Sequence, residues 1–281
     1  MKLRSLSARQ AVNRLVFFLS GLAALLGLSG LIWILAVVIV RGAGAINWAF
    51  FVELPTPPGV PGGGLANAIV GTLAITALAT VMGVTIGLLA GVYLAEFGRS
   101  SRFGTLVRFC SDILMSAPSI VIGVFVYTVV VLRTGNFSGY AGALALAIIM
   151  LPVVTRTTEE MLKLIPDRLR EAALALGAPY WKMTLDVVIR GARRGIITGA
   201  MLAIARVSGE TAPLLFTALN SPYWSRSFNE PMGNLTVTIF NYAMSPYTDW
   251  QTMAWGGSLL ITAGVLLFTV GARLILGRSE K

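Results

Sequence analysis

The segment PDRLREAALALGAPYWKMTLDVVIRGARR, residues 166–194, is the one long charged stretch between apolar ones. Pro166 and Asp167 favour the first turn of a helix, and Gly177 favours a left-handed helix stop. Pro179 can start a second helix, so the pattern predicts a helix–glycine–helix element. The first helix carries apolar side chains on one face, at Leu169, Ala172, Ala173 and Leu176. Taken alone, such an element is either a surface for a second protein or a solvated loop.

The composition indicates an all-α integral membrane protein. Of the 281 residues, 56% are hydrophobic and 12% are charged, whereas about 25% of the residues of a soluble domain are charged. The net charge of +10 is typical of basic cytoplasmic loops, and the basic residues are not interleaved with aromatic ones as in nucleic-acid binding proteins. With no histidine and one cysteine, Cys110, the chain offers no internal disulfide, His/Cys metal site or His-dependent catalytic triad. It has no GxxxxGK[ST] phosphate loop either, so ATP hydrolysis by that route requires another subunit.

Apolar segments long enough to cross a bilayer predict six transmembrane helices. The predicted spans are 15–40, 65–95, 113–132, 136–155, 195–219 and 251–272. The first is too long for the apolar core of a signal peptide, so it is expected to be retained. Eighteen Lys and Arg residues fall on the side of the N-terminus, whereas Arg41, Arg133 and Arg226 fall on the other and Arg206 lies within a span. By the positive-inside rule, residues 1–14 and the C-terminal tail are cytoplasmic.

Glycines and prolines mark special positions within these spans. Glycines in the second span favour close helix packing, at Gly71, Gly83, Gly87 and Gly91. Pro118 and Pro152 interrupt the third and fourth spans, as packing kinks or as bends beside a pathway. The last external loop, 220–250, is rich in aromatic residues that suit interfacial anchoring or a docking surface, and 234–243 is a candidate partly inserted element.

Arg206 and Glu210 lie near the middle of the fifth predicted span. A continuous helix would place both on one face, one turn apart. An arginine at a helix centre costs about 2.5–3.5 kcal/mol, so the pair is either a self-neutralising structural lock or a polar site in a translocation path. The guanidinium fork suits a tetrahedral oxyanion. Glu210 can accept a hydrogen bond from a protonated phosphate, which sulfate does not offer at neutral pH.

Arg156 and Glu159 form a second charged pair, at the inner end of the fourth span. Their spacing of three makes them neighbours on a helix. Two interpretations remain open from the residues: ordinary interfacial charges, or an inner gate that pairs with Arg206 or with a partner subunit.

Glu171, Ala172 and Ala173, followed after three residues by Gly177, resemble the EAA-x3-Gly motif of integral-membrane permeases of ABC importers. Arg190 stands where that motif has a proline. Over residues 65–276 the chain is similar, more narrowly, to the A-type permeases of bacterial phosphate-specific importers. The runs that carry this likeness are GLANAIVGTL (64–73), APSIVIGVFVY (117–127), AIARVSGETAPLLFTA (203–218) and TVTIFNYA (236–243).

The resemblance implies a type I ABC importer permease fold of the inner membrane, with a permease core at 65–276 and a coupling helix in the cytoplasmic loop 156–194. It implies a non-catalytic subunit that binds no cofactor and pairs with a C-type permease. A homodimeric ATPase that uses ATP and Mg and a periplasmic phosphate-binding protein complete the expected complex. The implied ATPase-coupling residues are those of the EAA-x3-Gly match, and the implied pathway residues are Arg206, Arg156 and Glu159, with Glu210 in the same run as Arg206.

Other functions remain as alternatives at this point. The nearest is an importer of another oxyanion, such as sulfate, molybdate or phosphonate. A proton- or sodium-coupled transporter lacks support, because the spans contain no acidic pair and the chain shows no internal repeat. A lipid-modifying enzyme lacks a reactive constellation, and a purely structural scaffold would tolerate apolar replacements of the charged span residues.

Overall fold

The computed structural model describes the backbone of residues 6–278, with the side chains of all of these except 7, 8 and 275–278. Within this part of the chain the regular structure is helical and includes no strand. The α-helices are α1 (Leu6–Gly42), α2 (Trp48–Val52), α3 (Ala66–Val92), α4 (Arg102–Ser116), α5 (Ser119–Val126), α6 (Leu132–Thr134), α7 (Gly139–Lys163), α8 (Asp167–Ala175), α9 (Tyr180–Met183), α10 (Arg190–Val207), α11 (Ala212–Leu215), α12 (Leu235–Ala243) and α13 (Thr248–Arg278).

Short irregular turns extend several of these helices. A 3₁₀ turn, Ala43–Ala45, follows α1. Wider π-helical turns continue α3, continue α5 and lead into α10, at Tyr93–Phe97, Tyr127–Val131 and Thr184–Ile189 respectively. Such π turns are rare in helices and frequently occur at functional sites.

Helix α7 is the centre of the bundle, and α3 packs along it over most of its length. The glycines of α3 make this approach possible. A Cβ atom on Gly87 would lie 2.8 Å from Val154 Cβ, and one on Gly83 would lie 3.1 Å from the carbonyl oxygen of Ala147. Gly91 meets Thr158 in the same way. The predicted role of these glycines in close packing is confirmed.

Four helices of the described chain are long and apolar enough to cross a membrane, namely α1, α3, α7 and α13. A fifth span is obtained if α4 and the Ser119–Thr134 helix are counted together, although these two are bent by 106°. The break lies at Ala117 and Pro118, where Ala117 is extended, as the residue before a proline prefers to be. The single third span at 113–132 is therefore wrong at its start, since 113–116 belong to α4. Six spans are not confirmed.

The fifth predicted span, 195–219, is not one helix. Helix α10 ends at Val207, and the chain turns through Ser208, Gly209 and Glu210 before the short helix α11. The carbonyl oxygen of Glu210 accepts a 3.0 Å hydrogen bond from the hydroxyl of Thr236 on α12. This contact gives a partner to backbone that the broken helix leaves free, which an apolar environment requires.

Candidate functional site

The segment after α7 forms the predicted helix–glycine–helix element. Helix α8 ends in a turn where Gly177 adopts φ +82°. The N–H of Gly177 donates to Leu174 and that of Ala178 donates to Ala173, at 2.9 and 3.2 Å. This is the glycine C-terminal cap expected from the sequence, since a residue without Cβ takes the left-handed conformation at little cost. Pro179 then precedes the first turn of α9, so both sequence signals are confirmed.

The face of α8 that meets the protein body is the one that carries Arg170, and not the apolar face. Leu169 is 50% exposed and Leu176 is 90% exposed, whereas the side chain of Arg170 is only 9% exposed. Arg170 reaches Glu96 on the π turn that follows α3, with Nη2 2.9 Å from Oε1. A buried ion pair therefore attaches α8 to the protein body and leaves the leucines outside, where they are available to a second protein.

A second cluster of charges surrounds Glu159 near the end of α7. The Glu159 side chain is 1% exposed and accepts hydrogen bonds from Arg108 Nε at 2.7 Å and from Arg156 Nη1 at 3.2 Å. Lys163 also donates to it, one turn along α7. Arg156 binds a second carboxylate, Asp112 on α4, at 3.1 Å. Three cations thus surround one buried carboxylate, which satisfies the burial rule for charged groups.

The cluster bears on the two interpretations of Arg156 and Glu159, which were ordinary interfacial charges or an inner gate. The two residues pair with each other, as their spacing predicted, and with α4. No hydrogen bond or ion pair joins either of them to Arg206 within residues 6–278. Sequence reasoning missed Arg108, and the available signal was the spacing of four between Arg108 and Asp112, which puts both on one face of α4.

Arg206 lies one residue before the end of α10 and is exposed. Across the described residues, its side chain forms no hydrogen bond or ion pair, and neither does that of Glu210. The expected pair on one helix face is wrong, since the helix ends between the two residues. An exposed arginine without a protein partner has its N–H donors available to an anionic ligand or to a partner subunit.

A large groove of about 750 Å³ runs between α3, α10 and α13. The residues that line it are apolar or carry hydroxyls, with none charged, and they include Thr72, Ile204 and Ser208. The hydroxyls of Thr72, Thr80 and Ser208 already donate to backbone carbonyl oxygens. With no cation in its lining either, this groove is poorly suited to an oxyanion.

Comparisons with known proteins place the chain in a family. Residues 83–281 match the family described as "Binding-protein-dependent transport system inner membrane component". The chain is 51% identical over 272 residues to the phosphate transport system permease protein PstA of Yersinia pestis, covering 97% of this chain and 92% of that protein. It is 49% identical over 266 residues to the PstA of Haemophilus influenzae, covering 95% and 94%.

The fold has a counterpart among solved structures. An inward-facing structure of the MetNI methionine ABC transporter matches with a TM-score of 0.66 at 22% identity, covering 77% of this chain and 96% of that one. That likeness shows the fold of a type I ABC importer permease. The chain belongs to the family of binding-protein-dependent transport system inner membrane components, and within it to the PstA phosphate transport system permease proteins.

Proposed function

We propose that this chain is the membrane-spanning permease subunit of an ATP-driven importer of inorganic phosphate. One observation carries the proposal, namely the identity of about half of all residues to proteins named as phosphate transport permeases, over nearly the whole chain. Two structural features support it. The helix–glycine–helix element presents exposed leucines beside the EAA-x3-Gly motif, and Arg206 remains available to an anion.

The complex that we propose has four kinds of component. The chain pairs with a C-type permease, a homodimeric ATPase binds below it, and a periplasmic phosphate-binding protein delivers the anion from above. ATP and Mg bind to the ATPase, so this chain is not itself an enzyme and binds no cofactor. Both termini lie in the cytoplasm of a multi-pass inner-membrane protein, since the basic residues concentrate on that side.

The mechanism that we propose is alternating access. Closure of the ATPase dimer on ATP moves α8, the bundle opens outward to receive phosphate, and hydrolysis returns it to the inward-open state. The ATPase states must differ in their contacts with the exposed face of α8, because only differential contact can shift a conformational equilibrium. Glu171, Ala172, Ala173 and Gly177 form this coupling surface.

The pathway residues divide into two groups. Arg206 contacts phosphate transiently, since a tight site in the middle of the path would trap the ion. Arg156 and Glu159, held by Arg108 and Asp112, form the inner end of the path as a closed charge cluster. In this arrangement the cluster sets the position of α4 against α7, and Arg206 provides the exposed positive charge.

The test is phosphate-stimulated ATPase activity and phosphate uptake by the complex reconstituted in proteoliposomes. Gly177→Pro is expected to abolish stimulation, because a proline cannot adopt the positive φ of this turn. Arg206→Ala is expected to keep ATPase stimulation and to lose uptake. Normal uptake by Arg206→Ala would overturn the pathway role, whereas uptake that persists without the ATPase would overturn the importer itself.

Anion selectivity tests the substrate. Excess arsenate is expected to compete with phosphate uptake, whereas sulfate and molybdate are not. Glu210→Gln is expected to weaken the preference for phosphate over sulfate, because the amide presents hydrogen-bond donors that a fully ionised anion accepts. Effective competition by sulfate in the wild type would favour an importer of another oxyanion. An unchanged preference in Glu210→Gln would remove this residue from the selectivity site.

A further inference from the structure

Arg170 is the only side chain of α8, in the part of the chain that the structure describes, that is buried. Its guanidinium has five N–H donors, and the surrounding acceptors account for all of them. Nε and one Nη2 donor face the carboxylate of Glu96, at 3.3 and 2.9 Å from Oε1. The other Nη2 donor faces the carbonyl oxygen of Leu162 at 2.9 Å, and Nη1 faces Ile165 and Asp167. Arg170 therefore joins α8 to the ends of both α3 and α7.

Glu96 receives both halves of the helix–glycine–helix element. Its carboxylate binds Arg170 of α8, and its backbone carbonyl oxygen accepts a 3.2 Å hydrogen bond from the hydroxyl of Tyr180 on α9. Burial raises the pKa of the Tyr180 phenol above its usual value, and the nearby Glu96 carboxylate adds to this effect. The phenol thus remains a protonated donor at physiological pH. A single residue of the π turn after α3 thus holds the element at two points.

We propose that Arg170 and Glu96 are positioning residues for transport, forming the joint through which α8 moves α3. The inference rests on the proposed coupling of α8 to an ATPase. Glu96 lies in the π turn directly after α3, and the glycine face of α3 packs closely on α7. A displacement of α8 that preserves the joint must therefore displace the inner end of α3, rather than bending the loop alone.

The chemistry of the Arg170–Glu96 ion pair is better suited to fixing the orientation of α8 than to stabilising the fold. A buried ion pair contributes little to stability compared with apolar residues of similar volume, because desolvation of the two charges offsets their attraction. The planar guanidinium instead fixes direction, since its fork accepts a carboxylate in one plane. Neighbouring Arg99 and Asp167 also pair, at 3.3 Å, but their side chains are 44% and 63% exposed and water screens them. Arg99 therefore serves as the matched control.

The first experiment measures phosphate transported per ATP hydrolysed, using the complete complex in proteoliposomes. Arg170→Lys keeps the charge and loses the fork, and we expect transport per ATP to fall about fivefold or more while ATPase activity is retained. The double variant Glu96→Met/Arg170→Met is expected to keep the thermal unfolding midpoint and to lose coupling. Arg99→Gln is expected to keep both the wild-type unfolding midpoint and the wild-type transport per ATP. Wild-type transport per ATP in the folded double variant would overturn the proposal.

The second experiment observes the motion directly and does not depend on transport. Spin labels are attached at Leu169→Cys on α8 and at Val81→Cys, about 22 Å along α3 from Glu96, in a chain carrying Cys110→Ser. We expect the same distance distribution with and without ATP, because α8 and α3 move together. Once Arg170→Lys is added, we expect the distribution to differ between the ATP-bound and ATP-free complexes. A distance that changes with ATP in the unmodified joint would overturn the inference. Absence of phosphate uptake with an unchanged distance would instead count against the proposed substrate alone.

Discussion

Arg108 on α4 donates a 2.7 Å charge-assisted hydrogen bond from Nε to Glu159 Oε1 on α7, although 51 residues separate them in the chain. The same guanidinium donates from Nη2 to the carbonyl oxygen of Leu94 at 3.0 Å. Arg108 thus ties α4 both to the central helix and to the π turn after α3. The buried carboxylate of Glu159 is thus one of the points at which α4 is fixed to the bundle, beside the pair of Arg156 with Asp112.

Replacement of this carboxylate is expected to destabilise the protein. Glu159→Gln leaves Arg108, Arg156 and Lys163 without their shared anion, and such losses cost about 3–5 kcal/mol. A marked drop in the thermal unfolding midpoint of the purified protein in detergent would be observed. Glu160→Gln is the control, since Glu160 is exposed and has no partner among the described residues. Equal midpoints for the two variants would contradict this role of Glu159.

Two glycines in the left-handed conformation allow the effect of backbone strain on stability to be separated from the effect of the turn on ATPase coupling. Gly177 and Gly135 have nearly the same conformation, with φ of 82° and 77°, and a Cβ at either would meet nothing within 4 Å. Valine at either position is expected to cost about 1–3 kcal/mol in backbone strain. Stability should therefore fall alike in Gly177→Val and Gly135→Val, measured by thermal unfolding. Only Gly177→Val should lose phosphate-stimulated ATPase activity, and an equal loss in Gly135→Val would argue against a specific coupling turn.

Replacement of Arg206 is expected to abolish phosphate uptake without lowering the unfolding midpoint, in contrast to replacement of Glu159. Because the Arg206 side chain is exposed and has no protein partner within residues 6–278, Arg206→Met removes no hydrogen bond or ion pair that stabilises the fold. The unfolding midpoint is expected to stay the same or to rise, while phosphate uptake is lost. A drop in the midpoint as large as that of Glu159→Gln would show that Arg206 is structural.

The glycine contact between α3 and α7 is expected to tolerate no side chain. In Gly87→Ala the new Cβ would lie 2.8 Å from Val154 Cβ and 3.1 Å from the carbonyl oxygen of Leu151. Such overpacking lowers the free energy of unfolding by about 1–3 kcal/mol. The loss would be measured as a lower unfolding midpoint. Gly264→Ala on α13 is the matched control, since its Cβ would meet nothing within 4 Å. If both alanine variants unfold alike, the close approach of the two helices is not required.

Local signals in the sequence predicted local structure well. The glycine stop at Gly177, the proline start of α9 and the glycine face of α3 each depend on a few neighbouring residues, and all three are confirmed. The break after Val207 does not follow from hydropathy, which joins residues 195–219 into one span, although Gly209 and Pro213 are local signals for a bend in this span. The carbonyl oxygen of Glu210 at this break accepts a hydrogen bond from Thr236 of α12. Hydropathy carries no information about a contact between residues so far apart in the chain.

Composition, periodicity and short motifs are properties of neighbouring residues, so they were sufficient to predict the class of the protein, its helix–glycine–helix element and its family. Which charges meet depends on how the helices pack. Arg108 and Glu159 are 51 residues apart, and Glu96 and Arg170 are 74 apart. Burial of a charge requires an opposite charge nearby, and helix packing selects which one is in reach. For the same reason α8 faces the protein with Arg170 and leaves its leucines exposed.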